Sequence, residues 1–226
     1  MSLITINRTT KISPVSLQRP FVRFLCTFMP YLVPPRGGVT RKEHWEQHPT
    51  IKAFHSIDAA SLSMLDTIMN LAPDRNASIL DMGCNVGRHL QYLHDQGYRN
   101  LRGVDFSSKA IADMAQHHPE LYRDSRLEVA SFEQYFKDSP ETVDLVYTHG
   151  ATFELVHPRF PLINRVCTIA RRYVVMVINE WGHSYPRFWG YEFAREGFDL
   201  VLLRRPASPL ANGSPLSLLV FERLQR

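Results

Sequence analysis

The chain has 226 residues, of which 44% are hydrophobic and 21% are charged. This is enough for one globular domain with appendages, and it excludes a disordered or fibrous chain. The cysteines Cys26, Cys84 and Cys167 are too few and too widely spaced for a disulfide framework or a structural zinc site. We therefore expect a reducing, cytoplasmic compartment and no metal. The net charge of +4 is unevenly distributed along the chain. Every charged residue before Glu43 is basic, whereas 19 basic and 22 acidic residues occur from Glu43 onward.

Residues 1–39 are predicted to form a basic N-terminal arm that ends in the linker-like sequence VPPRGG. Its charge favours an anionic partner, either a membrane surface or a phosphorylated polymer, although a solvated tail has the same composition. The apolar stretch from Phe21 to Val33 is shorter than the roughly 20 residues that span a bilayer. It either packs on the domain as a cover or lies in a membrane interface, which would place the protein peripherally at the inner membrane face.

Residues 40–76 are predicted to form an N-terminal helical cover or lid. Thr40 and Glu43 have the spacing of a capping box, and the segment Glu43–Pro49 is a candidate lid over a ligand. The segment Ser56–Ala72 repeats its apolar residues at helical spacing and ends before a proline.

From Ala77 onward, predicted strands alternate with predicted helices, which favours an α/β fold with a mainly parallel sheet and helices on both faces. The predicted strands are Ser78–Met82, Leu101–Val104, Leu127–Ala130, Leu145–Thr148, Tyr173–Ile178, Asp199–Leu203 and Leu216–Phe221. The predicted helices are Gly87–Gln96, Ser108–His117, a short one near Glu133–Lys137, Pro158–Ala170 and Pro186–Arg195. The last two strands are joined by a polar loop too short for a helical crossover, so we expect them to be antiparallel neighbours.

The first predicted strand runs into the glycine-rich turn DMGCNVG, with Asp81 at its end and Gly83 and Gly87 on either side of the turn. The spacing excludes a P-loop, and Asn85 stands where a dinucleotide fingerprint requires its second glycine. A carboxylate at this turn repels phosphate and attracts an ammonium group. Cys84 is read as a small side chain that fills the turn. The pattern therefore predicts a cationic or zwitterionic ligand.

The ends of the next two predicted strands supply further ligand contacts. Asp105 ends the second strand, where an acidic side chain accepts hydrogen bonds from ribose hydroxyls. Phe106 follows it and can lie against a base. Ser131 and Phe132 follow the third strand and can meet the edge and the face of the same base.

The sequences LDMGCNVGRHL, GVDFS and VDLVYTHGATFELVHP resemble the motifs of class I S-adenosylmethionine-dependent methyltransferases. The resemblance covers about Ala77 to Phe221 and implies a Rossmann-like sheet of seven strands with a terminal antiparallel strand, so that residues 77–226 form the catalytic domain. It implies S-adenosylmethionine as cofactor, with Asp81 and the turn at the methionine moiety, Asp105 at the ribose and Thr148 in the same site. The family usually has glycine where this chain has Asn85, but the GCN-x-G form is similar to bacterial small-molecule and sugar methyltransferases.

Candidate catalytic bases follow the fourth predicted strand. They are His149 and Glu154, with His157 as a weaker candidate that more simply opens the next helix. A dense polar and aromatic segment after the fifth strand suits a polyhydroxylated acceptor, and its candidate substrate-binding residues are Glu180, Trp181, His183, Tyr185 and Arg187.

We therefore expect O-methylation of a small molecule or a sugar or glycan precursor. The alternatives are a cofactor-binding protein without catalysis, a membrane-recruited partner subunit and, less favoured, an N-methyltransferase or an RNA methyltransferase. The sequence THGA stands where methyltransferases of nucleic-acid bases carry Asn/Asp-Pro-Pro-Tyr, which argues against a nucleic-acid acceptor.

Overall fold

The computed structural model describes residues 18–35, 56–138, 141–150, 152–180, 184–210 and 214–225. The predicted lid Glu43–Pro49 and the candidate residues Trp181 and His183 lie outside these ranges. No helix within the described ranges is long and apolar enough to cross a bilayer.

The described strands form one sheet of seven in the order β3-β2-β1-β4-β5-β7-β6. Their bounds are β1 Ile79–Met82, β2 Leu101–Asp105, β3 Arg126–Val129, β4 Val143–His149, β5 Ala170–Ile178, β6 Phe198–Arg204 and β7 Ser217–Arg223. The strand β7 is antiparallel to both of its neighbours, whereas the pairs from β3 to β5 are parallel. The expected sheet and its antiparallel final pair are therefore confirmed.

The α-helices of the described residues lie on both faces of the sheet. They are α1 Gln18–Phe28, α2 Ala59–Leu71, α3 Arg88–Asp95, α4 Ser108–His117, α5 Pro119–Asp124, α6 Phe132–Tyr135, α7 Leu162–Ile169 and α8 Trp189–Arg195. Short 3-10 helices cover Pro30–Leu32, Phe136–Asp138 and Phe153–Leu155.

The described helices differ from the predicted ones at several points. The helix α5 was not predicted; it begins at Pro119 directly after α4 and leads into β3. The helix predicted from Pro186 begins at Trp189. The helix predicted from Pro158 begins only at Leu162, because a turn precedes it in which the Phe160 N–H donates to the His157 carbonyl at 3.0 Å.

The hydrophobic core has two layers, one on each face of the sheet. Alternate residues of β5 enter different layers: Val174 and Met176 pack with α7 and α8, whereas Val175 and Val177 pack with α2, α3 and α4. This alternation follows from the two-residue period of a strand, and burial of both faces explains the continuous apolar run of β5.

The helix α1 packs against the loop that leads into α8. The Arg23 side chain donates two hydrogen bonds to the Arg187 carbonyl, from Nε at 3.0 Å and from Nη2 at 2.8 Å. The Phe188 N–H donates to Thr27 Oγ1 at 3.0 Å, and Cys26 is buried against Tyr185. One side of this helix therefore covers the domain, as one of the two readings of Phe21–Val33 predicted.

Candidate active site

The turn after β1 is held tightly against its neighbours. The Gly83 N–H donates to the Val104 carbonyl at 2.8 Å. Gly83 has a φ of +86°, and a Cβ at this residue would lie 2.6 Å from Thr152 Cγ2, so only glycine fits. Asn85 has a φ of 48°, which asparagine adopts more readily than most residues. This explains why asparagine can stand in for the family's middle glycine.

Asp105 joins the turn after β1 to the turn after β2. The Asn85 N–H donates to its Oδ2 at 2.9 Å and the Ser107 N–H donates to its Oδ1 at 2.9 Å. Burial raises the pKa of Asp105, and these two backbone hydrogen bonds partly oppose that rise. Each carboxylate oxygen has two lone pairs, so both can still accept a hydrogen bond from a ribose hydroxyl.

Asp81 is a buried carboxyl group without a compensating partner. Neither of its oxygens has a hydrogen-bond partner among the described residues. Burial raises its pKa to about 7, and the charge of Asp105 adds to the rise. The nearby Tyr147 hydroxyl and the charge of Arg88 act in the opposite direction and lower this pKa, although the Tyr147 hydroxyl lies outside the geometry of a formed hydrogen bond. An isolated buried carboxylate is costly, and an ammonium group would supply both the opposite charge and the missing donors.

The other predicted cofactor residues lie around the same ends of β1, β2 and β4. Thr148 is buried and donates from Oγ1 to the Met82 carbonyl at 2.9 Å, which ties β4 to the start of the turn. Cys84 is buried, and burial keeps the pKa of its thiol well above the ordinary value, as expected for a side chain that fills space.

The residues predicted to contact a base lie at the ends of the adjacent strands β2 and β3. Ser131 caps α6, because the Gln134 N–H donates to its Oγ at 3.3 Å and its own N–H donates to Gln134 Oε1 at 3.1 Å. Phe132 is partly buried, with its ring edge-on to Phe153 at 6.0 Å between centroids. Phe106 is partly exposed directly after Asp105.

His149 belongs to a polar cluster that the sequence did not reveal. Its Nε2 lies 3.2 Å from Ser61 Oγ, and the same oxygen lies 2.9 Å from His89 Nε2. Asp58 Oδ1 lies 3.9 Å from His149 Nε2, and Arg88 Nε donates to His89 Nε2 at 3.1 Å. The cluster therefore joins the start of α2 to the start of α3 and the end of β4.

The hydrogen bonds of this cluster are compatible with one particular tautomer of His149. Arg88 can only donate, so His89 Nε2 is an unprotonated acceptor. Whether the Ser61 hydroxyl donates to His89 or to Asp58, its oxygen can accept from His149 Nε2–H. In that arrangement Nδ1 is the basic nitrogen of His149.

Burial keeps both imidazoles of this cluster neutral. Burial lowers the pKa of His149 to about 4, with the charge of Arg88 acting in the same direction and that of Asp58 opposing it. Burial also lowers the pKa of His89 well below its usual value. Neither ring is therefore charged near neutral pH.

The other two candidate bases have structural partners. Glu154 is fully buried, and its Oε1 accepts from the Asn179 N–H at 2.7 Å. Burial raises the pKa of Glu154 to about 7. His157 Nε2 donates to the Val33 carbonyl at 3.1 Å and so holds the segment that follows α1. A catalytic role for Glu154 stays a prediction.

The candidate acceptor-binding residues within the described ranges are all buried. Glu180 accepts two hydrogen bonds of 2.5 Å from Arg205, one from Nε and one from Nη2. Arg187 Nη2 donates to the Val156 carbonyl at 2.8 Å, and Tyr185 packs against Cys26. Their role toward an acceptor stays a prediction.

Four residues of the polar cluster escaped the sequence analysis: Asp58, Ser61, Arg88 and His89. The available signal was the spacing of Asp58 and Ser61, because Asp58 is the N-cap of α2 and accepts from the Ser61 N–H at 2.7 Å. The predicted helix began at Ser56, so Asp58 was placed inside the helix and was not recognised as its N-cap.

Residues 79–172 match the family described as a methyltransferase domain. No curated protein matches the chain. Among solved structures, the chain is similar to a TehB-like S-adenosylmethionine-dependent methyltransferase from Corynebacterium glutamicum, with 23% identity, coverage of 72% of this chain and 88% of that one, and a TM-score of 0.56.

Two further structures have the same fold at lower identity. Magnesium protoporphyrin IX methyltransferase from Synechocystis, solved with bound S-adenosylmethionine, has 13% identity and a TM-score of 0.60, covering 97% of this chain and 100% of that one. Ribosomal protein L11 methylase from Lactobacillus delbrueckii has 13% identity and a TM-score of 0.55, covering 80% of this chain and 92% of that one.

Residues 79–172 therefore match a methyltransferase domain, and the chain has the fold of the similar S-adenosylmethionine-dependent methyltransferases. Its cofactor is S-adenosylmethionine. The residues fit this cofactor. The carboxyl group of Asp81, which has no hydrogen-bond partner among the described residues, suits the ammonium group of a methionine moiety. Each carboxylate oxygen of Asp105 accepts one backbone hydrogen bond and can accept another from a ribose hydroxyl.

Proposed function

We propose that the protein methylates a hydroxyl oxygen of a small molecule, such as a sugar or a glycan precursor. The observation that carries this proposal is the position of His149 at the end of β4, with its Nε2 3.2 Å from Ser61 Oγ, so that Nδ1 can act as the base. Burial lowers the pKa of this imidazole to about 4, which keeps it neutral. A hydroxyl must lose a proton as it is methylated, whereas a neutral amine reacts through its lone pair and needs less help. A positioned neutral base thus favours oxygen as the acceptor atom.

The cofactor supplies a methyl group that its sulfonium centre already activates. The work left to the protein is to bind and align the two reactants. In this proposal Asp81 and the backbone from Gly83 to Gly87 hold the methionine moiety, and Asp105 holds the ribose. Phe106 and Phe132 enclose the adenine.

His149 accepts the proton of the acceptor at Nδ1. The Ser61 oxygen keeps the other ring proton on Nε2, and the Asp58 carboxylate, 3.9 Å from that nitrogen, stabilises the imidazolium that forms. An oxygen that gains a methyl group becomes strongly acidic, so a base with a pKa near 4 is still able to take its proton. The low pKa also keeps the ring unprotonated before reaction.

The proposed acceptor class rests on the predicted residues beyond β5. The group consists of Glu180, Trp181, His183, Tyr185 and Arg187, with Glu154 as a second candidate base. The acceptors named for the similar structures are a magnesium porphyrin and a ribosomal protein, so they favour no single class. The test must therefore include macromolecular acceptors.

The experiment measures transfer of a labelled methyl group from S-adenosylmethionine to three pools: hydroxylated small molecules and glycans, small amines, and proteins. We expect label in the hydroxylated pool, and a loss of about 100-fold or more in kcat for His149→Asn. His157→Asn is the matched control and should retain activity, because His157 bonds to the Val33 carbonyl outside the cluster. Label confined to amines or proteins, or an unchanged rate for His149→Asn, would refute the proposal.

A further inference from the structure

The helix α1 has two chemically different sides. Its inner side packs on the domain through Val22, Arg23 and Cys26, as described above. Its outer side continues into the short 3-10 helix and carries large apolar side chains in contact with solvent: Phe21, Phe24, Phe28, Tyr31 and Leu32. We call these five residues the aromatic face.

The exposure of the aromatic face is unusually high for such residues. Phe21 is 65% exposed, Tyr31 is 76% exposed and Leu32 is 62% exposed. Single exposed apolar residues need no explanation, but a contiguous patch marks an interaction surface. The spacing of Phe21, Phe24 and Phe28 places them along one side of the helix.

The patch extends beyond α1 into a cavity of about 510 Å³. Phe24 and Phe28 line it together with residues of α8 and β6, among them Tyr191 and Leu200. The Phe28 and Tyr191 rings lie 4.9 Å apart, and both residues are exposed. Phe24 and Phe28 therefore form part of the rim of a mainly apolar depression, whose lining also includes Arg23, Glu180 and Arg205. Its volume is in the range that accommodates small molecules, about 300–1,000 Å³.

Basic residues predominate in the sequence around the aromatic face, and two exposed arginines lie beside it in space. Seven basic residues and no acidic residue occur in positions 1–42: Arg8, Lys11, Arg19, Arg23, Arg36, Arg41 and Lys42. Arg159 lies beside the patch, where its Nη2 donates to the Tyr31 carbonyl at 2.8 Å. Arg195 lies over the Tyr191 ring at 5.8 Å.

We propose that the aromatic face docks the protein on the surface of an anionic lipid bilayer. Aromatic and apolar side chains enter the boundary between headgroups and acyl chains, and the surrounding cations contact anionic headgroups. The cavity behind the rim accommodates part of an acyl chain. A second copy of this chain is a poorer occupant, because it would bring the same positive charge to the interface.

The test is flotation of the full-length protein with phospholipid vesicles and does not depend on methyl transfer. We expect binding to vesicles with about 30% phosphatidylglycerol, weak binding to pure phosphatidylcholine, and loss of binding as salt rises to about 0.5 M. The variant Phe21→Ser/Tyr31→Ser/Leu32→Ser should bind the anionic vesicles at least about tenfold more weakly.

A control variant removes three exposed apolar side chains elsewhere on the protein. The variant Tyr122→Ser/Val129→Ser/Leu210→Ser changes three exposed residues that lie outside the patch, and it should bind like the parent. Tyr31→Ser alone, at the most exposed residue of the face, repeats the test if the triple variant unfolds. Three results would overturn the proposal: no binding of the parent, equal binding of parent and face variants, or a parent dimer that the face variants abolish without any vesicle binding.

Discussion

The Ser61 hydroxyl lies 3.2 Å from Nε2 of His149, across 88 positions of sequence. This contact joins the first turn of α2 to the end of β4. A helix packed on the sheet thus contacts a candidate base at the carboxyl end of a central strand.

Loss of this contact should impair chemistry more than cofactor binding. In Ser61→Ala the His149 ring is no longer restricted to one tautomer, so we expect kcat to fall about tenfold or more while the dissociation constant for S-adenosylmethionine stays within about twofold. The measurement is steady-state kinetics beside titration calorimetry. Ser63→Ala is the control on the same helix, because Ser63 Oγ donates to the Ala207 carbonyl at 2.8 Å instead. Equal effects of the two variants on kcat would contradict the prediction.

The buried His149 should make the protein less stable in mild acid. Its pKa is lowered to about 4, so between pH 6.5 and pH 4 the unfolded state binds more protons than the folded state. Stability from this group is therefore present above about pH 6.5 and is lost as pH falls, by an amount on the order of 2 kcal/mol.

Urea unfolding at several pH values measures this loss. His149→Asn removes the titrating group, so its stability should fall less between pH 6.5 and pH 4.5 than that of the parent. Parallel curves for the parent and His149→Asn would show that this ring does not titrate as described. Asp81 and Glu154 act in the opposite direction and are present in both proteins, so they cancel in the comparison.

We expect Asp81 to lower the free energy of unfolding and to strengthen cofactor binding. Its pKa is raised to about 7, so the folded state carries an unfavourable buried charge above that pH. We expect Asp81→Asn to be more stable at pH 8, by about 1–3 kcal/mol, and to bind S-adenosylmethionine at least about tenfold more weakly.

Asp144→Asn is the control, and we expect it to change stability in the opposite direction. Asp144 Oδ2 accepts from Ser78 N–H at 2.9 Å and Ser78 Oγ at 2.7 Å, and hydrogen bonding and nearby arginines hold its pKa below the usual value. Its replacement should lower stability and leave cofactor affinity unchanged. Thermal unfolding at pH 8 and calorimetry decide both points, and a destabilised Asp81→Asn would mean that the carboxylate has a favourable partner.

Gly83 should not tolerate a side chain. A Cβ would lie 2.6 Å from Thr152 Cγ2 on a residue whose φ is +86°, so Gly83→Ala combines a steric clash with an unfavourable backbone conformation. We expect a loss of about 1–3 kcal/mol in the free energy of unfolding and weaker cofactor binding. Gly190→Ala is the matched control, because a Cβ there meets nothing within 4 Å, and a helical alanine should leave stability equal or higher. Urea unfolding of both variants gives the comparison.

Much of the fold could be predicted from short stretches of sequence. The turn from Asp81 to Gly87 was predictable because positive φ at its glycines and the acid before them are local signals. The start of α7 was misplaced because Pro158 has the signature of a first helical turn, whereas the turn at His157 is stabilised instead. A proline alone does not distinguish these two conformations.

The sequence by itself determined the alternation of strands and helices, the antiparallel final pair and the acidic glycine-rich turn, because side-chain periodicity and turn chemistry act over a few residues. Only the tertiary structure decided that Asp81 is buried with no hydrogen-bond partner among the described residues and that Ser61 contacts His149. Burial and contacts across 88 positions depend on how α2 packs on the sheet, which no local pattern encodes. The same holds for α1, because only the tertiary structure shows which of its sides the domain covers.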